Sequence, residues 1–125
     1  MSPNLLQKYS IGNFHFPVKS AMDSILVSKD SILEVVQKVK EDEELLYEQL
    51  VDVTATDNML SKSSSSNERF TIIYSFLSLK NNKRLFVFTN LSENDPDIDS
   101  ITQIFESADW YERECYDLFG INFKN

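Results

Sequence analysis

Three carboxylates, a guanidinium and a thiol crowd one short stretch of the sequence: Glu112, Arg113, Glu114, Cys115 and Asp117. Carboxylates at this density do general acid–base work or hold a divalent cation. Cys115, the single cysteine, is a nucleophile wherever its thiolate is stabilised. His15, the single histidine, is the other side chain that titrates near neutrality. Each has a plainer reading. Glu112 and Glu114, two apart, point in different directions on a helix and do not converge on one ion. Arg113 neutralises locally and suits a bidentate carboxylate pair, here or on a neighbouring chain. Cys115 shares a helical face with Tyr111 and Leu118, the setting of a small buried residue. His15 has no partner motif. The two glycines, Gly12 and Gly120, lie too far apart for a phosphate loop, and one Cys with one His cannot make a zinc or iron–sulfur site. The expectation is no catalytic, metal or cofactor-binding residue in this chain.

The stretch from Asp109 to Gly120 positions these groups and reads as a helix with both ends written in. Asp109 has the chemistry of an N-cap, and Glu112 three residues on completes a capping-box pattern. Gly120 falls where a C′ residue enters the left-handed region. Tyr111, Cys115 and Leu118 form one face, to be buried; Glu112, Tyr116 and Phe119 form the next. Arg113 and Asp117, four apart, are placed to pair. So much aromatic surface beside so much charge suits an element that docks on something.

The chain around this helix is 125 residues long, one domain by length, and 42% apolar. Its net charge of −8 argues against nucleic acid and against an anionic membrane surface as partners. No run approaches the ~20 apolar residues of a membrane-spanning helix, so no direct membrane insertion is expected. Residues 1–19 lack the charged start and apolar core of a signal peptide. A lone cysteine fits a reducing compartment.

Residues 1–20 have no clear period and form a poorly defined N-terminal segment; 21–125 read as the domain. Ser24–Val27 is a short strand. Ser31 and Glu34 spell a second capping box, opening a helix whose stripe is Ile32, Val35, Val36 and Val39. Acidic residues 41–44 should end it. Leu45–Gln49 and Leu50–Thr56 read as strand. Residues 60–67, with the serine run 63–66, read as a loop that tolerates replacement. Phe70, Ile72, Tyr74 and Phe76 alternate in a central strand. Asn81-Asn82 turns it into a hairpin partner, Arg84–Thr89. Both strands are apolar on both faces, which implies a sheet covered on both sides, or covered on one and docked on the other. Residues 94–97 form a turn. Ile98, Ile101, Ile104 and Phe105 mark a short helix. Fold class is α+β: a single domain with an antiparallel or mixed sheet, a central hairpin and two or three helices.

The run Trp110-Tyr111-Glu112-Arg113-Glu114, then Tyr116-Asp117-Leu118-Phe119-Gly120-Ile121, resembles the signature of a respiratory complex I family. That family is the thirty-kilodalton subunit, which is the C subunit of NADH dehydrogenase, or subunit 9 where mitochondria encode it. Leu50-Val51-Asp52-Val53-Thr54-Ala55-Thr56-Asp57 is similar to the family's Leu-x-Asp-Leu-Thr-Ala-x-Asp segment. Residues 69–80 resemble its central strand, and 95–104 its Pro-x-x-x-Ser-Ile-x-x-Ile approach. The likeness covers roughly 30–123. The family continues past this point with Gly-His-Pro and paired arginines, whereas this sequence ends at Lys124-Asn125, so contacts of that tail are not carried over.

The resemblance implies a structural subunit of the peripheral arm of NADH:quinone oxidoreductase (complex I), a translocase of the respiratory chain. Its partners would be the forty-nine-kilodalton and twenty-kilodalton complex I subunits, which form the quinone site and hold the last cluster. FMN and iron–sulfur clusters would belong to the complex and not to this chain. The implied location is peripheral, on the matrix face of the mitochondrial inner membrane or the cytoplasmic face of a bacterial plasma membrane. Trp110, Tyr111, Glu112, Arg113, Glu114, Tyr116, Asp117, Phe119 and Gly120 would be signature and interface positions. The alternatives are the equivalent subunit of a membrane-bound [NiFe] hydrogenase-type complex, a stand-alone carboxylate enzyme, or an acidic adaptor outside bioenergetics.

Overall fold

Alternation along residues 70–91 builds the centre of the molecule. In the computed structural model, which describes residues 22–43, 45–58 and 69–124, Phe70–Ser78 (β3) and Lys83–Leu91 (β4) pair antiparallel from Phe70↔Leu91 to Ser78↔Lys83. Asn82 closes the hairpin at φ 52°, a left-handed conformation that asparagine tolerates. Gln49–Asp57 (β2) flanks β3 antiparallel, and Met22–Leu26 (β1) flanks β4 in parallel. The sheet order is β1-β4-β3-β2, mixed in direction. The N-terminal segment 1–20, His15, Glu44 and the serine run 63–66 lie outside the described residues.

One face of this sheet carries the core. Ile72, Tyr74, Phe76, Leu85 and Val87 are fully buried there, with Ile25, Val53 and Ala55 beside them. Each such aliphatic contributes about 1.5–3 kcal/mol relative to staying exposed. Helix α1 (Ile32–Glu41) brings Ile32, Val35, Val36 and Val39 into that core, the stripe expected from a period of 3.6. It stops at Glu41, at the acidic run. Its expected capping box does not form: Ser31 makes no side-chain cap bond. The preceding 3₁₀ turn, Lys29–Ser31, is capped instead by Ser28, whose Oγ accepts from the Asp30 N–H at 3.3 Å.

The opposite sheet face is apolar too. Ile73, Leu77 and Phe86 are half-buried on it, and Phe88 is buried without belonging to the core cluster. β2 begins at Gln49, not Leu45: Leu46 takes φ 45°, and the buried Leu45 and Tyr47 anchor a loop. A register slip between Leu50 and Asp52 leaves Val51 38% exposed.

The expected short helix at 98–105 is absent. Ile98 lies in a strand, Asp97–Asp99 (β5), paired in parallel with Asn122–Lys124 (β6). Ser100 N–H donates to Lys124 O at 2.8 Å and Ile101 N–H to a Glu112 carboxylate oxygen at 2.9 Å. Those donors are therefore committed elsewhere, and the chain reaches α2 (Ala108–Phe119) through turns that bury Ile101 and Phe105. Among the described residues no helix is long and apolar enough to cross a membrane.

Candidate functional site

Helix α2 lies against β2, the outer strand of the sheet, and is held at both ends. It begins at Ala108, with Ser107 in the N-cap position and no side-chain cap bond. Asp109 is inside the first turn, where a carboxylate favours the positive end of the helix dipole. The expected capping box of Asp109 and Glu112 is thus overturned. Glu112 instead points inward, 5% exposed. Its Oε1 accepts from Ser100 Oγ at 2.7 Å and its Oε2 from the Ile101 N–H at 2.9 Å. The Ser100 proton faces the carboxylate, so the Thr102 hydroxyl, 2.9 Å away, donates to Ser100 Oγ. Burial raises the Glu112 pKa above the usual glutamate value, while the Ile101 and Ser100 bonds work against that rise. The carboxylate is a clamp between the helix and the turn before it.

At the other end, Gly120 takes φ 74° and its N–H donates to Tyr116 O at 2.8 Å. The left-handed closure expected of Gly120 is observed, and it delivers the chain into β6. Asn122 N–H then donates to Pro96 O at 2.9 Å, so β6 is bonded to the strand that precedes the helix.

Ala108, Glu112 and Cys115 form the buried stripe of α2, with Tyr111 and Phe119 half-buried beside it. The Phe119 ring meets Phe70 at 6.1 Å. The Cys115 thiol faces Val53 O at 3.8 Å, and burial, with Asp52 and Glu114 nearby, pushes its pKa up to about 11. A thiol in that state is a packing residue and a poor nucleophile at neutral pH. Leu118 is not on this stripe: it is 75% exposed, contrary to the grouping with Tyr111 and Cys115. The stripe is centred between Ala108 and Phe119, which turns Leu118 out to one flank. Trp110 is 66% and Tyr116 59% exposed. Arg113 pairs backward with Asp109 at 3.3 Å, not forward with Asp117. Both partners of that pair are largely solvated, so it contributes under about 0.5 kcal/mol.

The structure therefore divides the expected signature residues. Glu112, Tyr111 and Phe119 support the helix and Gly120 closes it. Trp110, Arg113, Glu114, Tyr116 and Asp117 face outward. A groove of about 480 Å³ runs between this outward surface and β6, lined by Asp109, Glu112, Arg113, Tyr116, Asp117, Asn122 and Phe123. Sequence reasoning missed Ser100 and Ile101 as partners of Glu112; the buried alternation of Ile98 and Ser100 across a short strand was the available signal.

The molecule is thus an α+β module that carries a charged, aromatic helix on the edge of a mixed sheet. The chain belongs to the family of the respiratory-chain NADH dehydrogenase 30 kDa subunit, whose family profile matches residues 25–125. Over 102 residues it is 43% identical to the NADH-quinone oxidoreductase C subunit of Citrifermentans bemidjiense, an alignment covering 82% of this chain and 59% of that protein. The chain spans about three fifths of that relative's length. Among solved structures it is similar to the trypsin-resistant fragment (1-134) of Nqo5, with a TM-score of 0.78, 26% identity and coverage of 99% of this chain and 92% of that one. A chain of the archaeal membrane-bound sulfane sulfur reductase shares the fold, with a TM-score of 0.76 at 17% identity over 99% of this chain and 68% of that one.

Proposed function

We propose that the chain is a non-catalytic assembly subunit in the peripheral arm of NADH:quinone oxidoreductase. It supports electron flow from NADH to quinone by holding the quinone-site and cluster-bearing subunits, the forty-nine-kilodalton and twenty-kilodalton proteins of complex I. FMN and the iron–sulfur clusters reside in other chains of that complex. The subunit is peripheral, on the matrix or cytoplasmic face of the membrane.

The observation that carries this reading is the division of labour on α2. Its one buried carboxylate, Glu112, is saturated by Ser100 and Ile101, and its thiol is buried and held protonated. What remains outward is contact surface: Trp110, Tyr116 and Leu118 among Arg113, Glu114 and Asp117. The names of the relatives, subunits of NADH-quinone oxidoreductase, support the same reading.

The test is purification of the tagged chain from native membrane extract and, separately, of the chain alone. Iron–sulfur subunits should accompany it from the membrane, and the co-purifying large subunit identifies the complex. The chain alone should be folded and colourless. Flavin or iron–sulfur absorbance in the isolated chain, or a native preparation without iron–sulfur subunits, overturns the reading.

A further inference from the structure

Trp110, Glu114 and Leu118 recur every four residues along α2 and form one stripe on its outer side. Trp110 and Leu118 are two of the five large apolar side chains that the described structure leaves exposed, at 66% and 75%. A tryptophan and a leucine two turns apart are about 12 Å from each other along the axis. That is the spacing of anchor residues in helix-in-groove recognition. The helix beneath them is fixed by the Glu112 clamp and by the pairing of β6 with β5.

The charge around the stripe sets what covers it. Asp109, Glu114 and Asp117 are exposed on α2, against the single cation Arg113, which Asp109 already engages. The last turn of α2 contains no basic residue, so the negative end of the helix dipole lies uncompensated beside Asp117 and Leu118. The whole chain carries −8. A second copy would bring two such acidic faces together, and an anionic lipid surface would repel this one.

We infer that the Trp110–Glu114–Leu118 stripe docks into an apolar cleft on a different protein chain, and that this cleft is rimmed by Lys and Arg, with a cation placed at the C-terminal end of α2. The inference rests on the proposed role as an assembly subunit and assigns that role a surface. Trp110 and Leu118 fill the cleft. Glu114, Asp117 and the negative end of the helix dipole meet its rim. Arg113 borders the stripe beside Trp110 but is engaged by Asp109 and contributes little to this contact.

The test uses the full chain and, as the probe, the peripheral arm purified from cells lacking this chain. Binding is measured by interferometry at low and high salt, beside a thermal melt of every variant. Trp110→Ala and Leu118→Ala should each weaken binding about tenfold or more, the behaviour of central anchors, with melting unchanged. Glu114→Lys should weaken binding and flatten its salt dependence. Arg113→Ala should bind like the wild type. If the wild type binds but Trp110→Ala and Leu118→Ala bind equally well, the stripe is not the docking surface, and the assembly role stands. If either variant loses binding only in proportion to a lowered melting temperature, the residue is structural and the inference falls. If the wild type does not bind the arm at all, both this inference and the assembly role fail. Self-association of the wild type that Leu118→Ala abolishes overturns the hetero-contact.

Discussion

Ser100 and Glu112 join the strand before the signature helix to the helix itself: the serine hydroxyl donates to the carboxylate across 2.7 Å, in a buried setting. The adjacent Ile101 N–H fills the second carboxylate oxygen. Glu112→Ala leaves the buried Ile101 N–H without an acceptor and turns the Ser100 hydroxyl back on Thr102 Oγ1, 2.9 Å away, so it should cost about 2–3 kcal/mol, the range for orphaning a buried donor of a charged acceptor. Glu112→Gln should cost about 1 kcal/mol, because its single oxygen can keep the Ile101 bond while its amide donates to Ser100 Oγ. Urea denaturation of both variants checks the order; an Ala variant as stable as the Gln variant would remove the clamp.

Glu112 also sets a pH dependence. Its native pKa is raised by burial, so the folded state holds the proton more tightly than the unfolded one. The contribution of this group to stability is therefore greatest below the ordinary glutamate pKa. It falls as pH rises through the window up to the native value, and above that window the cost of a buried charge is fully present. Asp95 runs the other way. Its hydrogen bond with Lys29 lowers its pKa, so its contribution is present above the ordinary aspartate value and fades as pH falls through the native one. Wild type minus Glu112→Gln, measured across the acid range, isolates the first effect and should decline with rising pH.

Cys115 should be inert in the native protein. A thiol pKa of about 11, against an ordinary 9.0, lowers the thiolate fraction about a hundredfold at mildly alkaline pH. Reaction with an aromatic disulfide reagent should be at least that much slower in the folded chain than in guanidinium. Equal rates would place the thiol at the surface.

Much of this architecture is legible in the sequence. The β3–β4 hairpin follows from alternation and an Asn-Asn turn, and α1 from four aliphatics at helical spacing. Contacts within a few residues leave a local pattern. The misread features are those decided by distant partners. Asp109 and Glu112 satisfy a capping-box spacing, and nothing local reveals that Ser100 and Ile101 claim the glutamate. Ile98, Ile101 and Phe105 match a helical period, but the pairing of Ile98 with Phe123 across the intervening helix makes a strand of the first. Leu118 and Tyr111 differ by seven positions and so share a nominal face; the true orientation is fixed by the buried stripe of Ala108, Glu112 and Cys115, with Cys115 against Val53 of β2, which leaves Leu118 outside. In the functional stretch, residue types announce an unusual helix, and only the tertiary structure shows which side of it is free.

Gly120 should tolerate alanine sterically, since a Cβ there meets nothing within 4 Å. The cost is conformational. At φ 74° a non-glycine residue pays about 1–2 kcal/mol, and asparagine, which visits this region more readily, should cost less than alanine. Thermal melts in which Gly120→Asn melts above Gly120→Ala, and both below the wild type, support the capping role. A destabilisation well beyond this would mean that the turn into β6 needs more than a backbone angle.

Tyr74 presents the reverse case. Its ring is fully buried and stacks near Phe76 at 6.4 Å, yet its hydroxyl has no hydrogen-bond partner among the described residues. Tyr74→Phe removes a desolvated polar atom and keeps the ring. It should leave stability unchanged or raise it by about 1 kcal/mol. A loss of stability in urea would show that the hydroxyl has an acceptor after all.

The bonding of β6 to β5 has a consequence for how the subunit meets its neighbours. The chain leaves β5, runs through α2 and returns alongside the strand it left, so the helix is a closed loop tied at its base. Its outer side chains are set in place before any partner arrives, and association need not supply the ordering entropy that a free helix would demand. Loosening the tie at Ser100 or Ile121, both hidden from solvent, would restore that demand. Such a change would weaken assembly from inside the fold, without altering one atom of the surface that the partner touches.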